Sequence, residues 1–410
     1  MRTVKWNPFL SGVYTVLGGM LLWAGAARAD VTSTNPAAIV VYPKIVVDTS
    51  SENNIDTIIQ LTNTAPNPVN VRCFYVNANG HCGNSPFAIC DPNGNPADSP
   101  CAIGDVCISQ WTETDFAFQL TSHQPIDWTA SQGLSDLPLS PSCTGPECHG
   151  AVNGESNSGS IPPVSENPFQ GELKCIEVGD LGVGENPSTV TVFNDLKGEA
   201  TIEDITISGG GTPSVDSRGY NAIGIQAATP QPADACDASG CTLTLGAEYS
   251  GCPGVLLLDN FFDDAEEPSI GDDVRTKLTL VPCSEDFKFQ TTTTTTVQYL
   301  VFNEFEQRLS TSKSTNCFTE IALSDIDTRL GPEGDNQSIF NVSVEGTLTG
   351  QVLIRGVADG STDHGNGLLA IAEEFHNGEH DTKSAAFVTV QRGTRTQNDV
   401  ILIPAAQPTN

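Results

Sequence analysis

Hydrophobic positions recur along this chain at period two, in short runs. Phe340, Val342 and Val344 alternate with Asn341, Ser343 and Glu345, the pattern of a strand with one buried face. Ile59 and Leu61 keep the same period within 56–62. After the breaker NTAPNP at 63–68 come Val69, Val71, Cys73 and Tyr75, with Asn70, Arg72 and Phe74 on the opposite face. These two runs predict a hairpin-like pair with one face in the core. Residues 37–47, AAIVVYPKIVV, form an apolar β-type run whose central proline predicts an edge strand or a bulge. Further strands are predicted at 172–178, 188–193, 200–207, 222–227, 241–245, 255–262 and 277–281. Beyond Pro282 and the threonine run 291–296, seven more follow, at 297–303, 317–323, 339–345, 347–356, 368–375, 384–391 and 399–404. No helical stripe of comparable quality is present in the sequence.

The chain therefore reads as all-β. Short strands separated by turn signals over 286–410 suit an immunoglobulin-like β-sandwich, with a barrel or jelly roll as the alternative. Residues 30–285 are assigned to a first β-sandwich domain, interrupted at about 77–171 by a long cysteine-rich loop insertion where turn residues dominate. A sequence echo links the two units. IIQLTN (58–63) leads to Cys73-Phe74, and VQYLVFN (297–303) leads to Cys317-Phe318. Each is a strand ending in Asn, a polar excursion, and a strand starting near Cys-Phe. These hairpins resemble those of immunoglobulin-like sandwich modules in exported bacterial proteins. The resemblance implies the sandwich fold and brings no functional residue with it.

Residues 1–29 read as a signal peptide: Arg2 and Lys5 precede an apolar stretch from Phe9 to Ala26, and Ala27-Arg28-Ala29 offers a cleavage site before Asp30. No later segment approaches the roughly 20 continuous apolar residues of a membrane span. The expectation is a secreted chain, extracellular or periplasmic, with no membrane span after cleavage. Its 50 acidic and 18 basic residues give a net charge of −32, which disfavours nucleic acid and anionic lipid as partners.

All 13 cysteines follow the leader, and in an exported chain they predict disulfides with at least one thiol left over. Short separations predict local bridges Cys143–Cys148 and Cys236–Cys241, with two more among Cys82, Cys90, Cys101 and Cys107. Cys283 and Cys317 flank the first strand of the last domain and are paired on that ground. Cys175 and Cys252 remain for a long-range bridge, which leaves Cys73 as the odd thiol on a buried strand face.

Three segments invite a chemical reading. HNGEH (376–380) fits H-x-x-E-H, in which both histidines of a zinc peptidase ride on one helix. Here it joins two predicted strands, and Asn377-Gly378 is a strong hairpin signal. A two-residue turn there pairs His376 with Glu379 and sends His376 and His380 to opposite faces, so the loop reading wins. CTGPECHG (143–150) resembles a widened haem attachment site, with Cys143 and Cys148 as thioether links and His149 as axial ligand. No methionine follows the leader, so the sixth ligand would be a histidine such as His81 or His123. A small disulfide loop is the preferred reading. In DPNGNPAD (91–98), Asp91, Asn93, Asn95 and Asp98 are candidate calcium ligands, set against an ordinary turn. The acidic run DNFFDDAEEPSIGDD (259–273) reads as solvated charge.

Neither a G-x-S-x-G elbow nor a phosphate-binding P-loop occurs in the sequence. The expectation is an acidic, exported, non-enzymatic protein of the cell surface or envelope, structural, adhesive or ligand-binding. No cofactor is expected, calcium being the one candidate, and the protein meets a protein or glycan through loops on its sandwiches. An exported hydrolase using acidic loop residues is the alternative, and a single-haem electron carrier the third reading.

Overall fold

The structure, a computed structural model, describes residues 31–49, 53–90, 100–109, 111–134, 161–179, 190, 193–206, 214–228, 236–237, 239–262, 265–267, 272–326, 329–330, 336–337, 349–357, 365–377, 383–386, 390–391, 395–396 and 398–405. Among the described residues the protein is nearly all β, with one 3-10 turn at Leu323–Asp325 and no α-helix.

Strand Ile39–Val47 has eight of its nine residues buried, because both faces of its sheet are covered. It lies inside a six-stranded antiparallel central sheet, ordered Val31–Thr32, Ile223–Ile225, Ile39–Val47, Phe169–Val178, Val69–Asn77, Thr112–Leu120. The proline does not place this strand at an edge. It sits at a bulge, where Pro43 and Lys44 together face Glu172. There the Lys44 amide donates to the Tyr220 hydroxyl, which in turn donates to the Lys44 carbonyl.

One face of the central sheet packs on an outer sheet, ordered Ser214–Asn221, Leu196–Thr206, Asn53–Asn63, Pro125–Thr129. Tyr42, Ile59, Leu61, Phe118 and Trp128 fill the layer between them. Trp128 Nε1 donates to the Tyr75 hydroxyl at 2.6 Å, and the Tyr42 hydroxyl donates to the Gln60 carbonyl at 2.6 Å. Gly198 leaves room for that contact, since a Cβ there would stand 2.1 Å from the Tyr42 oxygen. Asn53–Asn63 and Val69–Asn77 are thus not a hairpin. The breaker between them carries the chain from one sheet to the other.

The opposite face is also covered, which the alternation of Arg72 and Phe74 did not suggest. A third sheet, ordered Cys236–Asp237, Gly240–Leu245, Asp399–Pro404, Glu285–Asp286, lays Leu243, Leu245, Ile401 and Ile403 against Ile39, Val41, Val76 and Ile176. Phe74 stacks on Phe287 with ring centroids 4.1 Å apart. The Arg72 guanidinium bonds the Pro404 carbonyl at 2.6 Å and Asp115 at 2.9 Å.

The C-terminal sandwich pairs two further sheets around Leu258, Leu278, Leu280, Val297, Tyr299, Val301, Val352 and Ile354. The first is ordered Arg308–Asn316, Thr294–Asn303, Thr349–Val357, Leu256–Phe262, Val390–Gln391. The second holds Ala265–Glu267, Asp272–Pro282, Leu368–Asn377 and Lys383–Ala386, with Thr319–Ala322 also pairing Asp272–Pro282. Three strands before residue 285, Gly240–Leu245, Leu256–Phe262 and Asp272–Pro282, pair with strands after it. Residues 384–391 do not form one strand: Lys383–Ala386 and Val390–Gln391 join different sheets. The run at 339–345 lies outside the described residues. The echo between the units survives in its asparagines: Asn63 Oδ1 accepts from the Ala65 amide and Asn303 Oδ1 from the Phe305 amide, so each caps the turn ending its strand.

The cysteines separate into local and distant pairs. Cys236–Cys241, Cys82–Cys101 and Cys90–Cys107 are bonded. Cys73 is not the odd thiol: it bonds Cys175, its direct neighbour across the central sheet, with Cα atoms 4.1 Å apart. Cys252 bonds Cys283, which leaves Cys317 buried and free rather than bridged to Cys283. Cys143 and Cys148 lie outside the described residues.

Charge is buried where the layers meet the C-terminal sandwich. Lys44 pairs with Glu373 and, at 2.5 Å, with Glu320; Arg218 also reaches Glu373, and Lys277 reaches Glu320. Burial would raise the Glu320 pKa, but Lys44 and Lys277 hold it at about 2. At the sheet edge, burial followed by the neighbouring Asp115 pushes Glu113 up to about 8, against the pull of Arg72. Folded protein thus holds this proton more tightly than unfolded chain does. The resulting stabilisation is complete below the ordinary carboxylate range, falls as pH rises, and is gone above about 8. The urea midpoint should decline between pH 5 and pH 9, and Glu113→Gln should flatten that decline. An unchanged slope in the variant would count against it.

Candidate ligand-binding face

The outer face of the first C-terminal sheet is built by strand register. Val297, Tyr299 and Val301 point into the core, so Gln298, Leu300 and Phe302 point outward. Across the strands, Ser312, Gln298 and Arg355 form one row, Ser310, Leu300 and Leu353 the next, and Arg308, Phe302 and Gln351 a third. The first two rows line a shallow groove of about 410 Å³. Gln298, Ser310, Ser312 and Arg355 are exposed, while Leu300 and Leu353 are half-buried between them.

Three neighbouring strands, Thr294–Asn303, Arg308–Asn316 and Thr349–Val357, contain no Asp or Glu, although the chain has 50. They carry Arg308, Lys313 and Arg355. Lys313 lies on the inner face and donates to the Asp325 carbonyl at 3.0 Å. Arg308 and Arg355 make no ion pair among the described residues. Glu304 and Glu306 line a second hollow, of about 370 Å³, at the turn that closes one end.

Strand Arg308–Asn316, RLSTSKSTN, was not predicted. It is an edge strand whose inner face carries Leu309, Thr311, Lys313 and Thr315, of which only Leu309 is apolar, so it has no apolar alternation to read. Depletion of carboxylates across 288–319, broken only by Glu304 and Glu306, is the signal that marks this region.

The sequence-derived candidates are not gathered here. Asp91, Asn93, Asn95 and Asp98 lie outside the described residues, as do Cys143, Cys148 and His149. His376 is the penultimate residue of strand Leu368–Asn377, which pairs with Asp272–Pro282 as far as Asn377. Phe375 pairs with Lys383, so the connection is longer than a two-residue turn at Asn377-Gly378, and Glu379 and His380 lie outside the described residues. His376 sits on a strand, not on the helix that a zinc peptidase requires. His81 is buried, with Nε2 3.0 Å from Glu166. The Sγ atoms of Cys82, Cys90 and Cys101 lie within 4.8 Å of one another, but as disulfide sulfurs they are not thiolate ligands. No helix among the described residues is long and apolar enough to cross a membrane.

No family model matches the chain, and neither does any curated protein. Among solved structures, it is similar to one titled "Structure of infectious bursal disease virus Gt strain", at 8% identity over 92% of this chain and 79% of that one, with a TM-score of 0.15. A likeness at that TM-score carries no argument about fold or function.

Proposed function

We propose that this protein is exported and works without catalysis at the cell surface or envelope, holding a ligand on the outer face of its C-terminal sandwich. The groove carries this reading: Gln298, Ser310, Ser312 and Arg355 stand side by side, exposed, on paired strands backed by a packed core. Placement on strands rather than loops fixes their spacing before the ligand arrives, which lowers the ordering cost of binding. The buried charges have a different role. Lys44, Lys174, Arg218, Glu320 and Glu373 are paired inside the seams between layers, where they hold the scaffold together.

Labelled mature protein should bind saturably to cell envelopes. Ser312→Trp, which fills the groove from an exposed position and leaves the core untouched, should abolish that binding. Equal binding by both proteins, or saturable binding by neither, would refute the reading.

A further inference from the structure

We infer that the ligand of this face is an acidic polysaccharide bearing uronic-acid carboxylates; the inference rests on the binding reading above and names the ligand class. Three properties of the groove converge on it. First, its sign is wrong for the chain. A surface with net charge −32 repels polyanions, yet the three strands of this face hold no carboxylate, and they place Arg355 and Arg308 outward without an ion-pair partner among the described residues. Arginine presents a planar fork of donors that fits a carboxylate in two-point contact.

Second, the remaining groups match a sugar ring. Ser310, Ser312 and Gln298 both donate and accept, as a ring of hydroxyls requires, while Leu300 and Leu353 offer an apolar strip for its C–H face. Peptide side chains are better served by deep pockets, and this groove is shallow. Third, the groove runs across the strands and ends at Arg308–Asn316, the open edge of the sheet. From Ser312 to Arg355 the row crosses two strand spacings, about 10 Å. No described strand pairs with that edge. Glu304 and Glu306 bar anionic units from the hollow at the turn, which orients the polymer along the Gln298 row.

The test is calorimetric titration of mature protein with polygalacturonate, at physiological ionic strength, where a Debye length of about 8 Å screens the repulsion from the rest of the chain. Saturable binding is expected, weakened by about tenfold or more in Arg355→Gln, because a charge-assisted hydrogen bond is lost. Arg355→Lys should recover only part of it, since the charge is kept and the two-point fork is lost, and Lys197→Gln, an exposed charge on the outer sheet, should leave it unchanged. Equal binding of dextran would show a neutral glycan site, and equal binding of polyglutamate a site for acidic peptides; either overturns the inference. So does unchanged binding in Arg355→Gln. If envelope binding is lost in Ser312→Trp while polygalacturonate never binds, the uronic-acid inference fails and the binding reading stands.

Discussion

Lys174→Met should destabilise the protein by about 3–5 kcal/mol, the cost of stripping one partner from a buried charge pair. Lys174 is fully buried, 2.7 Å from Glu172 and bonded to Glu285, both of them also fully buried. Burial alone would lower the lysine pKa, but Glu172 and Glu285 push it above the usual value, so it remains a cation. Burial raises the Glu172 pKa well above the carboxylate range, against the pull of Lys174 and with help from Glu285. The cluster then holds a cation beside a carboxyl group, Glu172, that keeps its proton more readily than an exposed one. Methionine conserves the packing of the stem and removes only the charge, leaving Glu172 and Glu285 without the ammonium that both of them bond. Lys174→Met/Glu285→Gln should recover much of the loss, since the amide carries no charge and still accepts from Trp111 Nε1, now 3.3 Å from Glu285. Urea unfolding decides the matter. A loss below about 1 kcal/mol in the single variant would place this cluster with surface ion pairs.

That cluster also shows where sequence stops being readable. Strands such as Thr349–Val357 and Leu368–Asn377 were legible because residues 352–354 run apolar in the first and residues 368–372 in the second. The third layer was not. Arg72 and Lys174 stand where alternation reads polar and therefore solvent-facing, yet both are buried and satisfied by groups far away in sequence: Pro404 for the first, Glu285 and Pro282 for the second. Polarity predicts exposure only when no distant partner arrives. The long-range cysteine pairs failed for the same reason. Spacing finds Cys236–Cys241, five residues apart, and cannot find a pair that sheet order brings together. The candidate face was legible only as a depletion: no motif marks Arg355 or Ser312, and the strand that supplies Ser310 and Ser312 has no hydrophobic period.

Removing the Cys73–Cys175 bond, as Cys73→Ala/Cys175→Ala, should have the largest effect of any disulfide in the described residues. The bond closes a separation of 102 residues, against 31 for Cys252–Cys283 and 5 for Cys236–Cys241. In the chain-entropy account a loop of about 100 residues is worth roughly 4.7 kcal/mol, and a five-residue loop roughly 2. Cys82–Cys101 and Cys90–Cys107 lie inside the long loop and shorten it. Because the cost grows only with the logarithm of length, that shortening removes little. Packing adds to the loss: both cysteines are fully buried in the layer between central and outer sheets, so trimming two sulfurs leaves a void. The expected order of urea midpoints places Cys73→Ala/Cys175→Ala lowest, Cys252→Ala/Cys283→Ala next, and Cys236→Ala/Cys241→Ala nearest the parent. A Cys73→Ala/Cys175→Ala variant as stable as the Cys236→Ala/Cys241→Ala one would mean that the central sheet is registered by its two covered faces alone, with the cross-strand bond adding nothing.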